Sequence, residues 1–355
     1  MTIGEQLKSA RQRANMNLRK LGEQVGVSAQ AISKYERGMD VPSSGVLIRL
    51  AKVFNVKVDY FLRPPTVTLS EPCYRKRKKL SAKDSDKIHA QTLEWLERYI
   101  TAESLFDDPV VFRYSDIVRR IAAIGDAERV AQQTREAWNL GMDPISNLVE
   151  VLEGCGIKVG VVDGADEFDA LILWANETIP VMVVRSNVDG DRQRLSLAHE
   201  LGHLILDIPE EWSDKDAEKA AYRFGAAFLA PAASARQELG EHRSWLDLYE
   251  LHLLKHKYGM SMQAWIFRAQ DLGILPDADA VRMYRWFNSR GWREKEPGDP
   301  YPPEKTLRLE QLVTHALAED IISQTRAAEL LGRPLQEFWL AASKHHDGLP
   351  LPVHP

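Results

Sequence analysis

The sequence predicts an α+β protein that is mostly helical. Three observations carry this. Apolar residues recur at helical spacing through residues 1–64. Strand signals are confined to residues 157–185, where Ile157–Val162 is alternating and β-branched and two further short strands follow. A second helical stretch then runs from about residue 191 almost to the end. The expectation is an all-α five-helix head, a middle domain with a small sheet, and a helical C-terminal region.

Bulk properties narrow the function classes. At 355 residues, with 44% hydrophobic and 27% charged residues, two or three globular domains are expected. No run of about 18 apolar residues predicts a membrane span. The N-terminus, MTIGEQLKSARQRANM, lacks the apolar core of an export signal, so a cytoplasmic location is expected. Cys73 and Cys155 are the two cysteines, and neither has metal-ligand spacing. The net charge of −5 conceals an asymmetry. Residues 1–83 hold 17 basic and 6 acidic side chains, a net of +11, which leaves −16 on the rest. A basic head on an acidic body predicts a polyanion partner for the head.

In residues 1–64 the apolar positions are Ile3, Leu7 and Ala10; Leu18, Leu21 and Val25; Ile32 and Tyr35; Val46, Leu47, Leu50 and Val53; and Val58, Phe61 and Leu62. Gly26 reads as the end of the second helix and Ser28 as the cap of the third. Leu21–Gly38, LGEQVGVSAQAISKYERG, resembles the helix-turn-helix of the Cro/phage-repressor (XRE-type) family. The resemblance implies that the second helix of the motif enters a DNA major groove, and that the protein binds paired half-sites as a homodimer. The groove-facing positions would be Ala29, Gln30, Ser33 and Lys34. Gln30 can bond an adenine edge in bidentate fashion, and Lys34 can reach guanine or phosphate. Arg19, Lys20 and Arg37 fit phosphate contacts. Residues 65–110 read as a connector, with Pro64-Pro65, a basic run at Cys73–Lys79 and a helix from Ser81.

The domain expected at 111–235 begins with helices at Ser115–Ile124 and Asp126–Leu140, then one opened by Asp143-Pro144. Strands follow at Ile157–Val162, Ala170–Trp174 and Pro180–Arg185. Next comes His199-Glu200-Leu201-Gly202-His203. Two histidines four apart share one helix face, a spacing suited to a zinc ion with Glu200 beside it as general base. The next helix carries Glu218, and small residues at Gly202, Ala221 and Gly225 would let the two backbones approach. The predicted metal set is His199, His203 and Glu218.

Two stretches, DRQRLSLAHELGHLIL at 191–206 and Glu218–Pro231, resemble the ImmA/IrrE-type zinc metallopeptidases in the right order. The likeness runs from about Pro144 to Pro231. It implies a zincin-like fold, Zn2+ as cofactor, His199, His203 and Glu218 as ligands and Glu200 as catalytic acid/base. Tyr222 stands where many members have Asn, and Ala230 where many have Met; neither is a ligand position. Tyr222 is expected to pack on the metal helix, with a hydroxyl that polarises a substrate carbonyl as the alternative; Asp207 is a candidate partner for a ligand histidine, and Ala170–Trp174 and Pro180–Arg185 are candidate edges for a peptide. Residues 236–355 read as further helices, with a Pro-rich loop at 291–303 and a tail at 349–355.

The combined expectation is a DNA-binding regulator with a zinc endopeptidase domain that cleaves a repressor or other regulatory protein. The alternative is a non-proteolytic autoregulator, an antitoxin whose partner is a cognate toxin and whose zinc domain is a scaffold or sensor.

Overall fold

The computed structural model describes residues 3–62, 67–70, 81–164, 168–293 and 295–338. The basic run at 73–79, Pro64-Pro65 and the tail at 349–355 lie outside the described residues, as does the second half of the last expected helix, Leu335–Ala342. Packing divides the chain into two compact units whose limits differ from the four-part sequence division. One holds Met1–Thr68, Asp86–Val110 and Thr306–Pro355. The other holds Leu69–Ser85 and Val111–Lys305.

The first unit begins with α1 (Ile3–Arg13), α2 (Leu18–Val25), α3 (Ala29–Glu36) and α4 (Ser44–Phe54). The fifth expected helix is a single 3-10 turn at Val58–Phe61. The Asn17 side chain caps α2, and Gly26, at φ 71°, ends it in the left-handed region that glycine enters without strain. The Ser28 hydroxyl accepts the Ala31 N–H at 3.0 Å and starts α3. Leu7, Ala10, Leu21, Val25, Ile32, Leu50 and Phe61 form the core of this head. Arg11 clamps it: Nε and Nη2 donate to the two Glu36 oxygens at 2.6 and 2.9 Å, which ties α1 to the end of α3. Beyond the head come α5 (Ala82–Glu103), α15 (Arg308–Ala318) and α16 (Gln324–Leu331).

The second unit contains α6 (Tyr114–Ile117), β1 (Arg119–Arg120), α7 (Asp126–Ala137), α8 (Leu148–Gly154), β2 (Lys158–Val162), β3 (Ala170–Ala175) and β4 (Ile179–Arg185). It continues with α9 (Gly190–Ile205), β5 (Leu206–Asp207), α10 (Asp214–Leu229), α11 (Ala232–Leu239), α12 (Leu248–Tyr258), α13 (Met262–Asp271) and α14 (Asp277–Ser289). The sheet order is β2-β4-β3, with β2 parallel and β3 antiparallel to β4. Asn176 and Glu177 take φ of 48° and 63° at the β3–β4 turn, as a type I′ hairpin requires. Because β4 is central, Pro180–Arg185 is not an edge; β3 is.

Two sequence expectations change here. Ser115–Ile124 is not one helix. It breaks after Ile117 because Arg119–Arg120 pairs in parallel with Leu206–Asp207, and the Ile121 N–H donates to the Asp207 carbonyl at 3.1 Å. Strand pairing with a distant segment overrides the local period. The helix expected from Asp143 starts instead at Leu148, where Asn147 accepts the Glu150 N–H. The preceding loop is held by Arg135, which donates to the carbonyls of Gly141 and Asp143 at 2.8 and 2.5 Å.

Of the helices after residue 236, α12 to α14 are not a separate layer. Leu251, Tyr258, Trp265, Ile266, Met283 and Phe287 share one core with Leu197, Leu201 and Phe224 of α9 and α10.

Candidate metal centre and helix-turn-helix surface

The site is built by the crossing of α9 and α10. A Cβ on Gly202 would lie 3.0 Å from the Ala221 carbonyl oxygen. One on Gly225 would lie 3.0 Å from the His199 backbone nitrogen. The backbones therefore meet at the two positions where side chains are missing, and Glu218 is carried over the histidine face. His199 Nε2 and His203 Nε2 are 3.0 Å apart. Glu218 Oε1 lies 3.2 Å from His203 Nε2, and Oε2 lies 3.5 Å from His199 Nε2.

This triangle fits a metal ion. Nitrogen and oxygen donors about 2.0–2.1 Å from a tetrahedral zinc stand about 3.3–3.4 Å from one another. The three observed separations bracket that edge. Two imidazoles and a carboxylate also form a donor set suited to zinc. Among the described residues, this is the one group of three or more His, Cys, Asp or Glu side chains whose ligand atoms converge. His199 is buried, whereas the side chains of His203 and Glu218 keep 17% and 23% exposure, so solvent reaches one side of the group. Glu200 follows His199 on α9 and is buried at 7% exposure.

Tyr222, one turn after Glu218, lays its ring against the His199 imidazole with centroids 4.0 Å apart. The expected packing role is what the geometry places there. Asp207 is elsewhere: its exposed carboxylate faces Arg120, 3.7 Å away, because the chain leaves α9 into β5 at this point. Sequence reasoning missed the groups that hold α9 in place. Lys255 of α12 is buried between Asp191 and Glu296, 3.0 and 3.1 Å away. Burial lowers its pKa, but the two carboxylates outweigh this and leave it raised. Arg194 pairs with Glu304 and donates to the Ile145 carbonyl at 2.9 Å. Away from α9, Arg268 of α13 grips Glu128 of α7 with two bonds of 2.6 Å. Cys155 is free, and burial pushes its thiol pKa up to about 11, so it is a poor nucleophile or ligand.

Residues 155–270 match the family model described as the IrrE N-terminal-like domain. The chain carries an ImmA/IrrE-type domain. The converging triad and Glu200 all fall inside it. The helices of the IrrE-type domain that complete its core continue past the matched stretch, through α14. Residues 7–61 match the helix-turn-helix model, so the two domain types share one chain.

Curated relatives extend the second likeness. The HTH-type transcriptional regulator ImmR of Bacillus subtilis (strain 168) is 34% identical over 62 residues, 18% of this chain and 49% of that protein. The uncharacterized HTH-type transcriptional regulator y4wC of Sinorhizobium fredii (strain NBRC 101917 / NGR234) is 34% identical over 59 residues, 17% of this chain and 41% of that one. The chain thus spans about half the length, or less, of the curated relatives it matches.

On the helix-turn-helix surface, Gln30 and Lys34 are exposed on α3, and Ala29 and Ser33 are half-buried beside them. Lys20 is exposed. Arg19 is exposed and pairs with Glu23 at 3.0 Å, a contact weak enough in water to yield to a phosphate. Arg37 is exposed and donates to the Ser33 carbonyl at 3.2 Å. No helix among the described residues is long and apolar enough to cross a membrane.

Proposed function

We propose that this protein is a DNA-binding transcriptional regulator whose IrrE-type domain is a zinc-dependent endopeptidase acting on a repressor or other regulatory protein. The observation that carries the reading is the convergence of His199, His203 and Glu218 beside Glu200, in a chain that begins with a helix-turn-helix.

His199, His203 and Glu218 would hold the ion. When bound, zinc supplies an acidified water and an electrophile for a peptide carbonyl. The Glu200 carboxylate accepts the proton of the attacking water and returns it to the leaving amine. Tyr222 fixes the plane of the His199 ring by packing on it. The edge of β3 gives an extended peptide a backbone to pair with, next to the metal helix. In the head, Gln30 and Lys34 read base edges, with Ala29 and Ser33 lining the same helix face. Arg19, Lys20 and Arg37 hold phosphates. The exposed recognition helix supports this role, and paired half-sites imply a homodimer.

Glu200→Gln separates this reading from a purely structural zinc domain. It should keep zinc and lower cleavage of the regulatory-protein substrate by roughly 10²–10⁴-fold, the range of a general base. Unchanged promoter response in this variant would instead favour a non-proteolytic regulator or antitoxin. Gln30→Ala with Lys34→Ala should weaken specific operator binding by about 2–6 kcal/mol, at 1–3 for each base contact, in a fluorescence titration at fixed salt. Equal affinity for operator and random DNA in both proteins would remove the recognition role of α3.

A further inference from the structure

β3 (Ala170–Ala175) is an edge of the sheet that lies on the metal helix. Ala170 and Ile172 share a core with Leu197, Ala198 and Leu201 of α9. The Arg185 N–H donates to the Asp169 carbonyl at 2.9 Å, which sets the phase of the β3–β4 ladder. By alternation, the N–H and C=O groups of Ala170, Ile172 and Trp174 point to the outer edge.

The C-terminal end of that edge is occupied by a segment from far earlier in the chain. Leu69 is the antiparallel bridge partner of Ala175. The Ser70 N–H donates to the Trp174 carbonyl at 2.8 Å. The Trp174 N–H donates to the Ser70 hydroxyl at 3.0 Å. In a continuing ladder that N–H would go to the Ser70 carbonyl; the hydroxyl takes it instead and stops the pairing. Further along, no backbone partner among the described residues meets the outward groups of Ala170 and Ile172. A peptide strand added to this edge would run antiparallel to β3 and would meet Leu69–Ser70 at Trp174.

We infer that Leu69–Ser70 is an internal occupant of the peptide-docking edge of β3, holding the place of a substrate strand, so that strap and incoming peptide exclude one another at Trp174–Ala175. This rests on the reading of β3 as the docking edge of a peptidase. It also names the chemistry accepted there: an extended strand with an apolar residue followed by a hydroxyl-bearing one.

The test uses the full chain and a fluorescein-labelled peptide copied from residues 61–70, read by anisotropy. All proteins carry Glu200→Gln, so turnover plays no part. Ser70→Pro removes both the donated N–H and the hydroxyl, and should bind the peptide at least tenfold more tightly than the chain with Ser70 intact. A Leu69→Cys, Ala175→Cys pair, with Cys73 and Cys155 changed to Ser, covers the case in which Ser70→Pro fails to fold. Its oxidised form should refuse the peptide and its reduced form accept it. Equal binding by open and closed forms, or no saturable binding to any, overturns the inference. A metal-free or catalytically silent protein would sink the peptidase reading while leaving this binding result to stand or fall by itself.

Discussion

Two histidine pairs in this molecule have the same spacing and different surroundings. His199 and His203 on α9 have ring centroids 4.6 Å apart, and His252 and His256 on α12 also have centroids 4.6 Å apart. The first pair meets Glu218, and His199 is buried. The second is half-buried to exposed, and His256 Nε2 lies 3.3 Å from the Asp299 backbone carbonyl oxygen. Among the described residues, no carboxylate joins the second pair in a converging group. Spacing on a helix therefore brings imidazoles together, but a neighbouring helix at close range makes a three-ligand group. For α9 that approach is set by its own Gly202 and by Gly225 of α10. α12 supports the metal helix through Lys255, not through its histidines.

That contrast can be broken at Lys255. Lys255→Met leaves Asp191 and Glu296 buried without their cation, and should cost about 3–5 kcal/mol in denaturant unfolding. A loss under about 1 kcal/mol would mean that the ion pairs do not anchor α9. The pH sense follows from the raised pKa of Lys255. Its stabilisation is present throughout neutral pH. It is lost only in the alkaline range, as pH rises past the free lysine value of about 10.4 and through the higher folded one.

A smaller effect is expected from closing the gap between α9 and α10. Gly225→Ala places a methyl 3.0 Å from the His199 nitrogen, where backbone has to move. It should cost about 1–3 kcal/mol of stability, and weaken zinc binding about tenfold, as loss of a ligand's support does. Zinc affinity equal to that of the unchanged chain would show that Glu218 tolerates the shift. The smallest effect belongs to the outer pair. His252→Ala with His256→Ala should alter stability by under about 0.5 kcal/mol, as a surface change does. A drop in high-affinity zinc binding there would erase the distinction between the two pairs.

The sequence made some of this legible and hid the rest for physical reasons. The triad could be read because each part is local: a four-residue spacing in α9, and Glu218 with small residues one helix later. The three strands of the main sheet were legible from short apolar runs bounded by turn residues. The break after Ile117 was not, because it depends on pairing with Leu206–Asp207 nearly ninety residues away. The same pairing draws Asp207 away from the histidines. Lys255 reads as one charge among many on α12; its partners lie 64 and 41 residues away, and burial rather than spacing marks it out. The joining of α12 to α14 with the metal helices was hidden likewise, since their apolar faces do not say which neighbour they meet. Leu69–Ser70 carries no strand pattern of its own and makes its single bridge only against β3.

Zinc content by mass spectrometry, on the full chain purified from zinc-replete cells, tests the central claim most directly. The account predicts about one zinc per chain, retained when His252 and His256 are both changed to Ala and lost with His203→Ala. A metal-free chain, or zinc that survives His203→Ala, would contradict it.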